Sequence, residues 1–140
     1  MTMFNLYVPI QVRYGDIDAQ GHANNVRIIS YLEEARIGYL RTLDLWDGKS
    51  FQDLGLIVAD VHASYLAPIH LDQKIRVGIR VVRLGNKSMH LEYQIENAET
   101  GQVAARCESV MVTYDYHTEK SIPIPPDWRE KIQKFEGLAA

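Results

Sequence analysis

Two aspartates, Asp16 and Asp18, stand one residue apart in a stretch unusually dense in polar and ionisable side chains, Val12 to Asn25 (VRYGDIDAQGHANN). Their alternation puts both carboxylates on one face of a strand end. Gly15 and Gly21 allow sharp backbone turns. Asn24 and Asn25 offer side-chain acceptors for the free N–H groups of a starting helix. A carboxylate is thereby placed a few residues before a helix N-terminus, where unpaired N–H groups and the helix dipole favour negative charge. Such a pairing can attack a carbonyl carbon, or take a proton from a water that does so, while N–H groups hold the oxyanion that forms. Each residue also has an ordinary use. Asp18 can cap a turn, Asp16 can orient one, Asn24 and Asn25 can cap the helix, and His22 can be an exposed loop residue.

The elements that must position these residues follow from periodicity. Tyr7 to Tyr14 is predicted to be a strand, with Val8, Ile10, Val12 and Tyr14 on one face and Pro9 marking a sheet edge. A helix is expected from Val26 to Leu43. Its apolar positions (Ile28, Ile29, Leu32, Ala35, Ile37, Tyr39, Leu40, Leu43) cover enough of the circumference that other structure should wrap it. Gly38 inside it implies close packing against a neighbour. Trp46 and Phe51 read as core anchors of a connecting region. The pattern then changes to period two: Leu56–Leu66, Lys74–Leu84, a tight turn at Gly85-Asn86, a strand from Met89 to Glu96, a turn at Glu99-Thr100-Gly101, and a last strand from Gln102 to Tyr116. Strands linked by hairpins favour antiparallel order. The tail from His117 carries Ile122-Pro123-Ile124-Pro125-Pro126, expected to be extended, and an amphipathic helix over Asp127–Phe135. One helix inserted after the first strand and followed by a meander is an α+β layout.

Bulk properties narrow the function classes. A length of 140 residues suits one domain, and a net charge of −3 argues against nucleic acid or an anionic membrane as main partner. The single cysteine, Cys107, excludes an intrachain disulfide and fits a reducing, cytoplasmic setting. Met1 to Asn5 shows no basic region leading into an apolar run, so no secretory signal is expected. His62, His70, His90 and His117 show no metal-ligand spacing with one another or with Cys107, and no metal is expected. Metal-dependent use of the D-x-D would need a third acidic ligand and a phosphate-cradling loop, neither of which is evident.

The run from Arg13 to Arg36, RYGDIDAQGHANNVRIISYLEEAR, resembles the hotdog-fold acyl-CoA thioesterases of the 4-hydroxybenzoyl-CoA thioesterase branch. It joins the D-x-D, the glycine three positions on, the Asn pair and a helix ending in Glu-Glu-Ala-Arg. The resemblance continues more weakly to about Tyr114, and it selects the hotdog fold, a sheet wrapped around one long helix, from the layouts that periodicity leaves open. It implies that the chain is a single domain hydrolysing acyl-CoA, with coenzyme A entering as part of the substrate and no further cofactor. Asp18 falls on the second Asp of the family motif, the nucleophile or general base. Asn25 falls on the position whose backbone N–H points at the thioester carbonyl. His22 could orient Asp18 or receive its proton; Gly21 leaves room for the acyl carbonyl or takes a turn conformation. The segment Leu84–Leu91 resembles the strand that meets the nucleotide or pantetheine, nominating Arg83, Lys87 and Ser88, although Gly85 and Asn86 replace basic residues of the family pattern. Tyr65 would line the acyl channel, with Trp46 and Phe51 helping to shape it. Glu33 and Glu34, on the helix where another hotdog branch carries its carboxylate, are read instead as charge partners of Arg27 or Arg36. The resemblance also implies a homodimer with sites at the interface, paired into a homotetramer. A non-catalytic hotdog protein that binds acyl-CoA or an acyl-carrier protein is the alternative.

Overall fold

The structure is a computed structural model that describes residues 4–139. Met1 to Met3, part of the stretch read above for a secretory signal, and Ala140 lie outside the described residues. Five strands form one antiparallel sheet in the order β1-β3-β4-β5-β2: β1 (Tyr7–Ile10), β2 (Leu56–Tyr65), β3 (Ile75–Leu84), β4 (Ser88–Asn97) and β5 (Val103–Asp115). A two-residue strand, β6 (Lys120–Ser121), pairs with β5. The long helix α1 (Asn25–Thr42) lies between β1 and β2 in sequence, and α2 (Pro126–Glu136) closes the chain.

Alternation decides which face each strand buries. Ile75, Val77, Ile79 and Val81 of β3 and Met89, Leu91, Tyr93 and Ile95 of β4 point to the core shared with Ile28, Leu32, Ala35, Tyr39 and Leu40 of α1. The opposite face carries cross-strand ion pairs, Arg76 with Glu96 and Arg80 with Glu92, at directly opposed positions. Pro9 sits in an edge strand, as a residue without an N–H should. Gly38 packs against β1 so tightly that a Cβ there would come within 2.9 Å of Val8 Cγ2.

Several expectations need correcting. The first strand stops at Ile10, and a short 3-10 turn over Tyr14–Asp16 swings Tyr14 out to 83% exposure, although Val12 stays buried. Phe51 is 76% exposed; only Trp46, against which its ring tilts, is an anchor. The helix is not wrapped all round, since Glu33, Glu34 and Arg41 face outward. The segment after His117 is no loose tail. Ile124, Trp128 and Ile132 are buried in the core, and the Glu136 carboxylate accepts both the Tyr39 hydroxyl (2.8 Å) and the Val81 N–H (2.8 Å). Burial, then Glu136, pushes the Tyr39 hydroxyl far above its ordinary pKa.

Two predictions arise here. Cys107 lies on the inner face of β5, 6% exposed, and burial pushes its thiol up to about 11. Against an ordinary thiol near 9, the thiolate fraction at neutral pH falls about 100-fold. The native protein should therefore react with a disulfide reagent about that much more slowly than its denatured form, which releases one equivalent. The second concerns the turn after β5, where His117 Nε2 meets Asp53 at 3.0 Å. The bond to Asp53 raises the His117 pKa above its ordinary 6.5, and the same bond lowers that of Asp53 below 3.8. The His117 contribution is complete below about pH 6.5 and is lost as pH rises through the raised value; the Asp53 contribution is lost only as pH falls below 3.8. Melting temperature should decline slightly between pH 6 and 8.5, and His117→Gln should remove that part of the slope. An unchanged slope would count against the pair.

Candidate active site

The D-x-D pair divides its labour. Asp16 is 9% exposed: one oxygen accepts the Tyr31 hydroxyl (2.8 Å) and the Arg13 N–H (3.0 Å), while Arg27 approaches the other at 3.8 Å. Burial, then this bond to Asp16, raises the Tyr31 pKa, so the phenol stays a donor. The carboxylate of Asp16 is thus spent on fastening the loop to α1.

Asp18 is held differently. Its Oδ1 accepts the Gln20 N–H at 2.9 Å, and its Oδ2 faces Asn24 Nδ2 at 3.4 Å. Asn24 is the N-cap of α1, its Oδ1 accepting the Val26 N–H at 2.9 Å. One amide therefore ties the carboxylate to the helix start, a positioning role that sequence reading, seeing only a cap, missed. The signal was present in the Asn pair six residues past the aspartate. Among the described residues, the Asp18 oxygen facing Asn24 carries only that one long contact, which leaves lone pairs for a substrate or water.

Asn25 is the first residue of α1, where backbone N–H groups have no intrahelical acceptor. No hydrogen bond of that N–H is found among the described residues. Beside it opens a groove of about 330 Å³, lined by His22, Asn25, Tyr65, Leu66, Pro68 and Ile69 among others. The Tyr65 hydroxyl reaches toward the Asn25 carbonyl at 3.5 Å. Gly21 adopts φ +87° with nothing near a notional Cβ, so the turn, not crowding within the chain, accounts for glycine there. The Asp18 N–H donates to the His22 carbonyl (3.1 Å), and the Gly21 N–H to the Asp18 carbonyl (3.0 Å). Gly21, His22, Asn25 and Tyr65 thus gather around the helix start, with Asp18 joined to it through Asn24.

The basic hairpin lies elsewhere. On β5, Ala105 neighbours Tyr65 and Val112 neighbours Ser88. Seven strand residues separate them, about 23 Å. At that far end Arg83 contacts the His90 ring at 2.8 Å, Lys87 donates to Ser121 Oγ (3.4 Å), and Arg129 of α2 donates to the Gly85 carbonyl (2.6 Å). Arg83 and Arg129 line one small cleft, and Arg129 is a cation the sequence reading did not nominate. The helix glutamates are also placed otherwise than expected. Glu34 pairs with Arg13 at 3.2 Å, Arg27 with Asp16, and Arg36 with neither glutamate. Among the described residues, no three His, Cys, Asp or Glu side chains are grouped to hold a metal ion, and no helix is long and apolar enough to cross a membrane.

Residues 12–132 match the Thioesterase-like superfamily. The chain belongs to this family. It is 33% identical to a thioesterase from Thermus thermophilus whose crystal structure was determined with coenzyme A and Zn; the alignment covers 98% of both chains, with a TM-score of 0.85. It is 28% identical to the long-chain acyl-CoA thioesterase FadM of Escherichia coli, over 90% of this chain and 96% of that protein. A 1,4-dihydroxy-2-naphthoyl-CoA hydrolase from Synechocystis is 24% identical over 87% and 90% of the two chains. The curled antiparallel sheet and its helices are therefore the hotdog fold, as the Arg13–Arg36 segment implied.

Proposed function

We propose that this chain is an acyl-CoA thioesterase that hydrolyses acyl-CoA to a free carboxylic acid and coenzyme A. The carrying observation is the amide of Asn24, which joins the Asp18 carboxylate to the end of α1 and so fixes a base or nucleophile beside unpaired N–H donors. The available oxygen of Asp18 attacks the thioester carbonyl, or takes the proton of the water that does. The Asn25 N–H receives the oxyanion. Collapse of the tetrahedral species breaks the C–S bond, and coenzyme A leaves as a thiolate that takes up a proton; where Asp18 is the nucleophile, water then hydrolyses the acyl–Asp18 anhydride, releasing the acid and restoring the carboxylate. His22, on the groove wall, orients Asp18 or accepts a proton from it. Tyr65 borders the acyl group, and Gly21 keeps the loop turned. Arg83, Lys87 and Ser88, joined by Arg129, offer cations and donors to the phosphates of the nucleotide.

The site is read as one assembled from two copies, as the family resemblance implies. The edge strand β2 supports a homodimer. It is ten residues long and mostly exposed, one of its edges is unpaired among the described residues, and it carries neither Lys nor Pro to discourage pairing. Two such dimers would form the homotetramer implied by the family. The free cysteine and a coenzyme A substrate fit a cytoplasmic protein.

The test is thiol release from a panel of short, long and aromatic acyl-CoAs; buried Cys107 keeps the background low. Turnover of at least one member is expected. Stabilisation by acyl-CoA without thiol release would instead make the protein a binder.

A further inference from the structure

A helix start leaves four N–H groups without intrahelical acceptors, and in α1 three of the four are already engaged. The Asn24 N–H donates to the Asp16 carbonyl (2.9 Å), the Val26 N–H to Asn24 Oδ1 (2.9 Å) and the Arg27 N–H to the Asn24 carbonyl (2.9 Å). The Asn25 N–H is the one left. A single donor half-fills an oxyanion hole. The tetrahedral oxygen formed from a thioester carries a full charge, and such holes supplement one backbone N–H with a second donor, often a side chain.

The groove beside Asn25 is lined by three side chains that can donate, those of His22, Asn25 and Tyr65. Of these, Tyr65 is the one seen against the main chain of Asn25, its hydroxyl 3.5 Å from that carbonyl. An O–H···O bond is usually about 2.7–2.8 Å long, so this contact places the phenol oxygen without committing its proton. Standard bond lengths keep the nitrogen and carbonyl oxygen of one residue within about 4 Å. The phenol oxygen therefore lies within about 8 Å of the Asn25 nitrogen. An oxygen that accepts from both needs them no more than about 6 Å apart, a separation this placement allows.

We propose that Tyr65 is a catalytic residue whose hydroxyl is the second donor to the oxyanion, alongside the Asn25 N–H. The proposal rests on the thioesterase reading and adds a role to a side chain otherwise placed only as a border of the acyl group. The phenol donates a hydrogen bond and keeps its proton, so it serves attack by Asp18 and attack by water alike. A second copy paired along β2 would screen this end of the strand from water, where a fixed donor is worth more.

Tyr65→Phe removes the oxygen and keeps the ring, which separates a donor from a wall of the acyl channel. Tyr65 is 47% exposed, so the variant should melt with the parent. Across short, long and aromatic acyl-CoAs, kcat should fall ~10²–10³-fold for every substrate the parent turns over, the loss for one oxyanion donor. KM should stay within about twofold, because the contact forms in the transition state. An S-alkyl-CoA thioether, which has no carbonyl, should bind parent and variant equally. A kcat near that of the parent in Tyr65→Phe overturns the proposal and leaves the thioesterase reading intact. So does a loss confined to some acyl groups, or one carried by KM with thioether binding weakened in parallel; each marks a channel wall. A parent that releases no thiol from any acyl-CoA removes the reading and the proposal together.

Discussion

Asp18→Asn should lower kcat/KM for the best acyl-CoA by ~10²–10⁴-fold, the range for removing a general base or nucleophile, equivalent to about 3–5 kcal/mol of transition-state stabilisation. The substitution is nearly isosteric, and the amide oxygen can still accept the Gln20 N–H. Only the 3.4 Å contact with Asn24 Nδ2 would be lost, at a cost to stability below about 1 kcal/mol. Activity should collapse while the melting temperature barely moves. Asp16→Ala should behave in the opposite sense. It strands the buried Tyr31 hydroxyl and frees Arg13 and Arg27, with an expected loss of about 2–4 kcal/mol in folding stability. Thiol release and thermal melting on both variants separate the roles. An active Asp18→Asn protein would move the search for the carboxylate to α1. There Glu33 comes first, because Glu34 is engaged by Arg13.

How much of this could be read in the chain depends on how local each cause is. The loop from Asp16 to Asn25 was legible because its determinants lie within ten residues: an Asx turn at Asp18, a positive φ at Gly21 and a cap at Asn24. Strand faces were legible because period two survives in β3 and β4. Tyr14 misled because its apolar character suggested a strand that the 3-10 turn had already ended. Phe51 misled because a short irregular connection imposes no periodicity. The folding-back of α2 was invisible for a different reason. Ile124 N–H to the Asn86 carbonyl, and Arg129 to the Gly85 carbonyl, join residues some forty positions apart. Arg36 is the sharpest case. A charged residue in a helical pattern reads as solvated, and its partner Tyr93 sits on a strand 57 residues away.

The largest effect on assembly is expected from β2. Ile57 and Val58 are 40% and 44% exposed, so replacing both with lysine removes little of the chain's own packing and should cost its fold about 1 kcal/mol or less. In a dimer paired through β2 the same change sets like charges from two copies across one interface, a penalty of several kcal/mol. Dissociation should then strengthen by at least ~100-fold, visible as a shift toward monomer mass in light scattering at micromolar protein. Thiol release should fall with the dimer fraction and return as protein concentration rises. That follows if Asp18 of one copy works with Arg83, Lys87 and Arg129 of the other. A monomeric Ile57→Lys, Val58→Lys protein with undiminished turnover would sink the shared site.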